Sequence, residues 1–521
     1  MTSFRTAVDA ACPPFLRVYK ARIEASPLGY RLAKGAFWSL AGSIISRGLG
    51  LLSGILVARI LGKHGFGQFG MIQSTVGMFS TFAGFGMGLT ANKHVAEFRR
   101  TDPPRAGRLI VLSSLVAWAT GTVMTIALVV FAPWLANHTL AAPEMAGLLR
   151  AGALLLLLGG VNGAQIGALS GLEGFKTMAR VNLFGGVLSF PIAVVGTLWA
   201  GVTGAVWAQV AALGVNCFVN FLALRHEAAR AGISLSFGGL NREWSILWRF
   251  SVPAVLAASM TGPVSWATSA LLANQADGYS QLGIYNAVLR MKIVPEIVLG
   301  ILMAPLLPVL AERYSARDTA GYNKTAYAAF SLSLLATLPF GLIQLAVPSL
   351  TMLPYGKTYA GHHGVVQWLM LDLAIIGLFN PMAAILASMN RMWFGFTYNL
   401  IWGALYGLTA LWLIRLYGAT GLVAALTSSH LLMLGPTLYY MYRSEKAFLC
   451  GLPLGRLGLM ISAAAGFCLG AHAFLPPAAA LMCAVLATFA IVSVQVKFLF
   501  QAGSFPLAGS GGTASDSACL G

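Results

Sequence analysis

Residues 36–60 read AFWSLAGSIISRGLGLLSGILVARI, an almost continuous apolar run in which Arg47 and Arg59 are the only charged residues. A helix needs about 20 mostly apolar residues to cross a bilayer, so the run predicts a transmembrane helix with Arg47 near its middle. Apolar residues make up 58% of the chain and charged residues only 9%, whereas a soluble domain is about a quarter charged. This composition excludes a soluble enzyme and predicts an all-α polytopic membrane protein.

Runs of similar length recur along the 521 residues and predict about fourteen transmembrane helices. The segment before the first run, residues 1–35, is basic and lacks the apolar core of a signal peptide. The last segment, residues 501–521, is rich in Gly, Ser and Ala and is predicted to be disordered. The predicted spans are residues 36–60, 69–91, 109–132, 148–170, 181–200, 202–224, 247–273, 281–307, 325–347, 365–388, 395–415, 419–442, 456–474 and 477–500.

The cations of the sequence are distributed unevenly between alternate connections. There are 33 Lys and Arg residues against 15 Asp and Glu, which gives a formal net charge of +18. If the N-terminus is cytoplasmic, 25 of the 33 cations fall on the cytoplasmic side, five on the outer side and three inside spans. Because cytoplasmic loops carry an excess of Lys and Arg, we expect both termini in the cytoplasm. The charge therefore marks a membrane face, and no nucleic acid is expected as a partner, since no compact basic domain is present to bind it.

Short motifs occur twice in the chain at nearly constant spacing. GFGQFGMI at residues 65–72 matches GYSQLGIY at 278–285, and GVTGAVWA at 201–208 matches GATGLVAA at 418–425. The offset is about 215 residues, and six predicted helices fit in one period, so both copies keep the same orientation. Parallel repeats of this kind are a transporter architecture, with the substrate site between the halves. The predicted segments are the basic segment 1–35, a six-helix lobe 36–230, a second six-helix lobe 231–445, two further helices in 446–500 and the tail 501–521.

The first two predicted helices carry a series of motifs built from Gly, Arg and aromatic residues. They are Phe37-Trp-Ser-Leu, Ser46-Arg-Gly-Leu-Gly, Leu56-Val-Ala-Arg-Ile-Leu-Gly and Gly65-Phe-Gly-Gln-Phe-Gly. The series resembles the opening of polysaccharide flippases, the Wzx-like branch of the multidrug/oligosaccharidyl-lipid/polysaccharide (MOP) exporter superfamily, and the resemblance covers about residues 36–500. Related lipid II flippases share the Ser-Arg-x-x-Gly start but carry an Arg-Asp pair one turn on. This sequence has Ser53 and Gly54 there, which favours exported polysaccharide units over lipid II.

The resemblance implies the substrate, the location and the partners. The substrate is expected to be an oligosaccharide repeat unit on a polyprenyl diphosphate. It would be flipped by alternating access from the cytoplasmic to the outer leaflet of the bacterial inner membrane, for O-antigen, capsule or exopolysaccharide synthesis. Membrane lipids, a polysaccharide polymerase and glycosyltransferases are the expected partners. No enzyme activity, cofactor or metal site is expected, and coupling to H⁺ or to Na⁺ remains open.

Five charged residues lie deep inside the predicted spans, where an ionisable side chain is costly and tends to face a cavity or a partner. Arg47, Arg290 and Lys292 are candidate ligands for the diphosphate, because a guanidinium can hold a phosphate through two hydrogen bonds. Lys292 and Glu296 are four residues apart, so the alternative is that they neutralise each other and leave Arg290 as the less compensated cation. Asp372 is a candidate coupling site for H⁺ or Na⁺, or the counter-ion of Arg290.

Two acidic residues occupy equivalent positions of the repeat. Glu97 and Glu312 are 215 residues apart, lie in predicted inner loops and are followed by arginines. Their symmetry predicts gates on the cytoplasmic side that salt bridges close in one state. The alternative is ordinary surface pairing, which stabilises a protein little.

The alternative function is a cation-coupled antiporter for drugs or other small molecules on the same superfamily scaffold. Such a protein needs central acids to attract cations, whereas three deep cations here face only two deep acids. An anionic headgroup is therefore the better fit. A membrane-embedded glycosyltransferase or polymerase is disfavoured, because the sequence has no DxD motif and no cluster of His and Asp in a large polar loop.

Overall fold

The computed structural model describes residues 27–246, 251, 255, 259–303, 306–389, 391–444 and 454–501. Within these residues the regular elements are helices and no strand occurs, which confirms the predicted all-α class. Most of the predicted basic segment 1–35 and nearly all of the predicted tail 501–521 lie outside the described residues. The helices of ten or more residues are α1 Pro27–Gly84, α2 Met87–Phe98, α3 Pro103–Trp134, α4 Met145–Gly171, α5 Phe175–Arg230, α6 Thr261–Ala273, α7 Gly278–Met291, α8 Ile293–Met303, α9 Leu306–Ser315, α10 Thr319–Ala346, α11 His363–Ser388, α12 Met392–Ser444, α13 Leu454–Phe474 and α14 Pro477–Gln501.

Three of these helices are too long to be single spans. α1, α5 and α12 contain 58, 56 and 53 residues. At 1.5 Å per residue each measures about 80 Å, whereas the hydrocarbon core of a bilayer is about 30 Å thick. Each is interrupted by a glycine with a positive φ, namely Gly62, Gly201 and Gly418. Around Gly418 the hydroxyl oxygens of Thr409 and Ser429 lie 3.3 Å apart, so the two arms of α12 run back alongside each other as a helical hairpin.

The turns of α5 and α12 have the same backbone geometry at two repeat-related positions. Gly201 has φ 55° and ψ −131°, and Gly418, 217 residues later, has φ 55° and ψ −127°. After each turn a glycine packs tightly on the preceding arm. A Cβ on Gly204 or Gly421 would lie 1.8 or 2.0 Å from a backbone oxygen of that arm. The internal repeat predicted from the GVTG and GATG motifs therefore has a structural counterpart.

Alanine at Gly418 should destabilise the protein more than alanine at Gly201. Both positions have a left-handed φ, so a Cβ at either one is strained by about 1 kcal/mol or more. A Cβ on Gly418 would also lie 1.7 Å from the side-chain oxygen of Gln281, which accepts a hydrogen bond from the N–H of Ala419. A Cβ on Gly201 has no described neighbour within 4 Å. We expect Gly418→Ala to lower the melting temperature in detergent, followed by far-UV circular dichroism, clearly more than Gly201→Ala; equal losses would contradict this expectation.

The predicted span 281–307 is interrupted in the structure. α7 ends at Met291, α8 begins at Ile293, and Lys292 forms the junction between them. Pro295 explains the interruption, because its nitrogen cannot bond the carbonyl of Met291 and its ring disfavours a helical preceding residue. In the described part of the chain, nine segments are long and apolar enough to cross a membrane, and three of these contain most of the long helices α1, α5 and α12. The number fourteen stays a prediction.

The helices form two compact units. The first consists of the described residues within Met1–Ser53, Phe79–Pro133 and Ala146–Leu256. Its core is formed by small and branched apolar side chains of α2 to α5, which pack closely because many of them are alanines. One buried cluster contains Ala91, Val95, Ala106, Ile110, Ala168, Leu169, Leu224 and Ala228.

The second unit contains the described residues within Gly54–Met78, Trp134–Met145 and Ala257–Gly521. Its central helix is α10, which packs against α8, α9 and α11 and also against both helices of the C-terminal pair, α13 and α14. The middle of α1, Gly54–Met78, also belongs to this unit and contributes to the site described below. The predicted division into lobes 36–230 and 231–445 rests on the sequence repeat and stays a prediction.

Candidate functional site

Glycines bring the two copies of the first repeated motif into contact inside the second unit. A Cβ on Gly67 would lie 1.7 Å from the carbonyl oxygen of Tyr279, and a Cβ on Gly283 would lie 1.9 Å from that of Lys63. Small residues of this kind allow the backbones of two membrane helices to approach closely. The resulting contact between α1 and α7 places the last turn of α7, which carries Arg290, beside both arms of α1.

Arg290 is a partly buried cation whose partners are neutral. Its Nη2 donates a hydrogen bond to Oε1 of Gln73 at 3.1 Å, and its Cζ lies 5.3 Å from the ring centre of Phe66. No carboxylate within the described ranges forms an ion pair with it. An intramembrane guanidinium needs a partner, and this one presents a planar fork of donors. Arg290 is therefore a candidate site for a phosphate group.

The space that Arg290 occupies exists because residue 54 has no side chain. A Cβ on Gly54 would lie 2.7 Å from Nη1 of Arg290 and 3.1 Å from its Cδ. This is the position at which the sequence departs from the Arg-Asp pair of lipid II flippases. Because residue 54 is a glycine, the side chain of Arg290 occupies space that a larger residue at this position of α1 would fill.

A buried cluster of three ionisable groups lies where α7 ends. Nζ of Lys292 lies 3.0 Å from Oδ2 of Asp372 on α11, and Nδ1 of His430 on α12 lies 2.6 Å from Oδ1 of the same carboxylate. The side chains of Lys292, Asp372 and His430 are 7%, 0% and 14% exposed. Both carboxylate oxygens have a donor, which is the condition for burying such a charge without a large penalty. The Lys292–Asp372–His430 cluster joins the α7–α8 junction to α11 and α12.

The predicted pairing of Lys292 with Glu296 is wrong. Lys292 pairs with Asp372 instead, and Glu296 is exposed. The rule that residues four apart can pair makes such a contact possible but does not require it, and the ammonium group of Lys292 bonds to the buried carboxylate of Asp372 instead. Asp372 is accordingly the counter-ion of Lys292 rather than of Arg290. Arg290 remains the less compensated cation of the two.

His430 is a residue of this cluster that sequence reasoning missed. Its ring stacks on Trp402, with ring centres 5.4 Å apart and an interplanar angle of 17°, and lies 6.0 Å from the ring of Phe379. A histidine inside the apolar span predicted over residues 419–442 was the available signal, because an ionisable group in a membrane tends to have a partner. The sequence does not identify that partner, since Asp372 is 58 residues away.

A cavity of about 330 Å³ lies between α11 and α12, close to the cluster. Phe379 and Tyr398 form part of its wall, and their rings are 5.4 Å apart. Because Phe379 also contacts the ring of His430, the cavity approaches the cluster to within the width of one aromatic ring. Arg391, in the connection between the two helices, lines the cavity as well.

Two buried tyrosines of the loop after α10 hold the helices around Arg290 in place. The hydroxyl of Tyr355 donates to the carbonyl oxygen of Ala287 at 2.8 Å, and that of Tyr359 donates to Ala58 at 3.1 Å. Ala287 lies one turn before Arg290, and Ala58 lies one turn after the glycine that makes room for it. Burial raises the pKa of both phenols, so they remain protonated donors.

The remaining predicted site residues are exposed. Arg47 lies on the first arm of α1 and belongs to the first unit. Glu97 bonds to Nδ1 of His94, one turn earlier on its own helix, at 3.1 Å, and Glu312 lies on α9. Their roles in binding and gating stay predictions. In the ranges described above, no group of three or more His, Cys, Asp or Glu side chains is arranged to hold a metal ion.

Comparisons with known proteins agree with this fold. The profile of a family described as polysaccharide biosynthesis protein matches residues 32–314. The EPS I polysaccharide export inner membrane protein EpsE of Ralstonia nicotianae is 23% identical over 405 residues, covering 75% of this chain and 89% of that protein. The succinoglycan biosynthesis transport protein ExoT of Rhizobium meliloti is 26% identical over 393 residues, covering 74% and 72%. The solved structure of lipid II flippase MurJ in an inward closed conformation matches with a TM-score of 0.64 at 13% identity, covering 89% of this chain and 99% of that one.

Proposed function

Because this chain belongs to the polysaccharide biosynthesis protein family, we propose that it is a flippase for a polyprenyl-diphosphate-linked oligosaccharide that is used to assemble a surface polysaccharide. The names of EpsE and ExoT, which refer to polysaccharide export and succinoglycan transport, support this substrate class. The proposal depends mainly on the surroundings of Arg290. This arginine is a partly buried guanidinium at membrane depth with neutral partners only among the described residues, and a lipid-linked diphosphate supplies the missing anion.

In this mechanism the chain itself contributes binding and orientation. Arg290 holds the diphosphate through two of its N–H groups, and its bond to Gln73 and contact with Phe66 fix the plane of the guanidinium. Arg47, in the first unit, is proposed as a further phosphate ligand on the basis of its sequence motif. Lys292 is committed to Asp372, so it raises the local positive potential without a free donor of its own. The site opens to one side of the membrane at a time, while the prenyl tail stays in lipid.

The distribution of cations supports a cytoplasmic location for both termini. In that orientation the glycan is loaded from the cytoplasm and released at the outer face of a bacterial inner membrane, and EpsE is named as an inner membrane protein. A polymerase on the outer face and glycosyltransferases on the inner face are the partners that such a step requires. Glu97 and Glu312 are proposed as cytoplasmic gate residues on the basis of their repeat symmetry.

A cation-coupled drug antiporter is the second candidate, and Asp372 is the residue that would serve it. Both oxygens of this carboxylate are already bonded, to Lys292 and to His430. A cationic drug would have to displace a lysine ammonium from a fully buried acid, which is unfavourable. Dye efflux by the wild type that is lost in the folded double variant Asp372→Asn/Lys292→Met, at matched amounts of protein, would favour the antiporter over the flippase.

Deletion of the gene tests the proposed function directly. We expect a polyprenyl-diphosphate-linked oligosaccharide to accumulate on the cytoplasmic leaflet and surface polysaccharide to disappear, because synthesis of the lipid-linked unit continues while its translocation stops. Both effects should be reversed by the wild-type chain supplied in trans. Accumulation on the outer leaflet would instead indicate a defect in polymerisation, and the flippase assignment would be wrong.

Larger residues at position 54 should reduce export in steps without unfolding the protein. The Cβ of Gly54→Ala forces the guanidinium of Arg290 to move by a few tenths of an ångström, and Gly54→Val forces a larger displacement. Because the arginine end is flexible, we expect a change in stability of about 1 kcal/mol or less for the alanine variant. Gly77→Ala is the matched control, since Gly77 is exposed on the same helix and a Cβ added there would meet no described atom within 4 Å. Surface polysaccharide in the complemented deletion strain is the measurement, and equal export by all three variants would contradict the role of this space.

A further inference from the structure

The Lys292–Asp372–His430 cluster contains a histidine, the residue type that serves most often as a proton-binding group in proteins. Nδ1 of His430 lies 2.6 Å from one oxygen of Asp372, whose other oxygen takes the ammonium group of Lys292 at 3.0 Å. An ionised carboxylate only accepts hydrogen bonds, so Nδ1 carries the proton and the lone pair of the neutral ring lies on Nε2. Within the described residues Nε2 has no hydrogen-bond partner.

We propose that His430 is the proton-binding group of this transporter. A proton adds to the lone pair on Nε2 and later leaves from the same atom, and no other bond forms or breaks. The cluster then gains one positive charge, and the bond from Nδ1 to Asp372 becomes charge-assisted, as the bond from Lys292 already is. Protonation thus strengthens the connection of α12 to α11 and favours the arrangement of helices in which the cluster is closed. The role in transport rests on the proposed function, whereas proton binding itself does not.

The cavity between α11 and α12 gives the proton a route to this ring. Its volume of about 330 Å³ is enough for about ten water molecules at their liquid density. Phe379 separates it from the imidazole, and Tyr398 stands beside Phe379. The Phe379–Tyr398 pair thus lies between this cavity and the imidazole of His430, and the proposal requires the pair to move when water reaches the ring.

The groups that surround His430 are phenols and the two partners already described. The other ionisable groups that face it are the phenols of Tyr285 on α7 and of Tyr398 and Tyr406 on α12. Phenols ordinarily titrate near pH 10, far above the range of an imidazole. Asp372 is already held by two donors, and in the described part of the chain no second carboxylate pairs with the ring.

The same geometry selects a proton over sodium. A sodium ion in a membrane protein is coordinated by oxygen atoms, and the carboxylate of Asp372 is the acid available in the cluster. Both of its oxygens are occupied, one of them by a lysine ammonium that already supplies the positive charge. A proton needs only the lone pair on Nε2. The sequence suggested Asp372 as the coupling residue for H⁺ or Na⁺. The ion proposed from the geometry is the proton, and the atom that binds it is Nε2 of His430.

Trp402 provides an optical test on the full chain in detergent or nanodiscs. An imidazolium in stacking contact quenches indole emission much more than a neutral imidazole does, and Trp402 stacks on His430. We expect tryptophan emission to fall in one step as the pH is lowered, by up to the share of one of the 12 tryptophans. The step should vanish in His430→Gln and in Trp402→Phe, the latter of which leaves the cluster intact.

His472→Gln is the matched control, because His472 is another partly buried membrane histidine of the same unit and bonds to the carbonyl oxygen of Ala346 at 3.2 Å. The His472→Gln variant should keep the pH-dependent step in tryptophan emission. In the wild type, replacing choline by sodium at constant ionic strength should not move the pH midpoint of that step. Persistence of the step in His430→Gln would overturn the proposal, as would its absence from the wild type. A midpoint that depends on sodium would overturn the assignment to a proton.

A second measurement separates this inference from the proposed function. Proteoliposomes containing a fluorescent prenyl-diphosphate disaccharide report flipping at several internal and external pH values. We expect the wild type to respond to a pH gradient and His430→Gln to lose that response. Flipping by His430→Gln that still follows the gradient overturns the inference and leaves the flippase function standing. An emission step without any flipping by the wild type supports proton binding and overturns the flippase.

Discussion

Arg290→Ala is expected to remove most export of surface polysaccharide while leaving the protein folded. The guanidinium forms no ion pair within the described residues, so its removal leaves no carboxylate unpaired, and the amide of Gln73 loses one hydrogen bond. A hydrogen bond to a charged group contributes about 1.5–3 kcal/mol, which corresponds to about a ten- to hundredfold weaker binding of the diphosphate. Export at limiting substrate should fall by a similar factor. The measurement is surface polysaccharide in the deletion strain at matched expression of each variant.

Three further variants make this result specific to the headgroup. Arg290→Lys keeps the charge but loses the planar fork, so we expect an intermediate level of export. Arg415→Ala removes an exposed arginine of α12 and should leave export unchanged. Arg47→Ala tests the second proposed cation and should also reduce export. Normal export by both Arg290→Ala and Arg47→Ala at equal expression would show that the diphosphate is not held by these cations.

The helical hairpins illustrate what a single sequence determines well. The apolar runs before and after Gly201 and Gly418 are each long enough to cross a membrane, and only a glycine adopts the turn conformation between them without strain. Length and a local backbone requirement were therefore sufficient to predict these elements and their repetition. The same holds for α13 and α14, whose bounds lie within two residues of the predicted spans 456–474 and 477–500.

The polar interior of the second unit could be predicted only in part. The deep cations and Asp372 were recognisable, because charged residues stand out in apolar spans. Their pairing was not, because Lys292 and Asp372 are 80 residues apart and helical spacing relates only near neighbours. The one local rule that was applied allowed a contact between Lys292 and Glu296 but did not require it, so Glu296 was assigned as a partner in error. Contacts of this type depend on how helices pack, which composition and periodicity do not encode.

Asp372→Asn should be among the most destabilising single substitutions in this unit. It leaves the buried ammonium group of Lys292 without a compensating charge, and breaking a buried ion pair in this way costs about 3–5 kcal/mol. Asp277→Asn is the matched control, because Asp277 pairs with Lys63 at 3.6 Å where the two side chains are 60% and 40% exposed. An exposed pair contributes only about 0–1 kcal/mol. Thermal melting in detergent and resistance to unfolding by a denaturing detergent are the measurements.

Adding Lys292→Met to Asp372→Asn should restore much of the lost stability. The double variant buries no charge, and replacing a whole buried pair by neutral groups is often neutral or even stabilising. The double-mutant cycle therefore yields a large coupling energy if the ion pair is the reason that Lys292 is tolerated at membrane depth. His430 would then face an amide instead of a carboxylate, and an imidazolium would gain no charge-assisted bond from it. We thus expect the double variant to be folded but to flip its substrate without dependence on a pH gradient. A double variant as unstable as Asp372→Asn alone would show that Asp372 stabilises the fold through contacts other than Lys292.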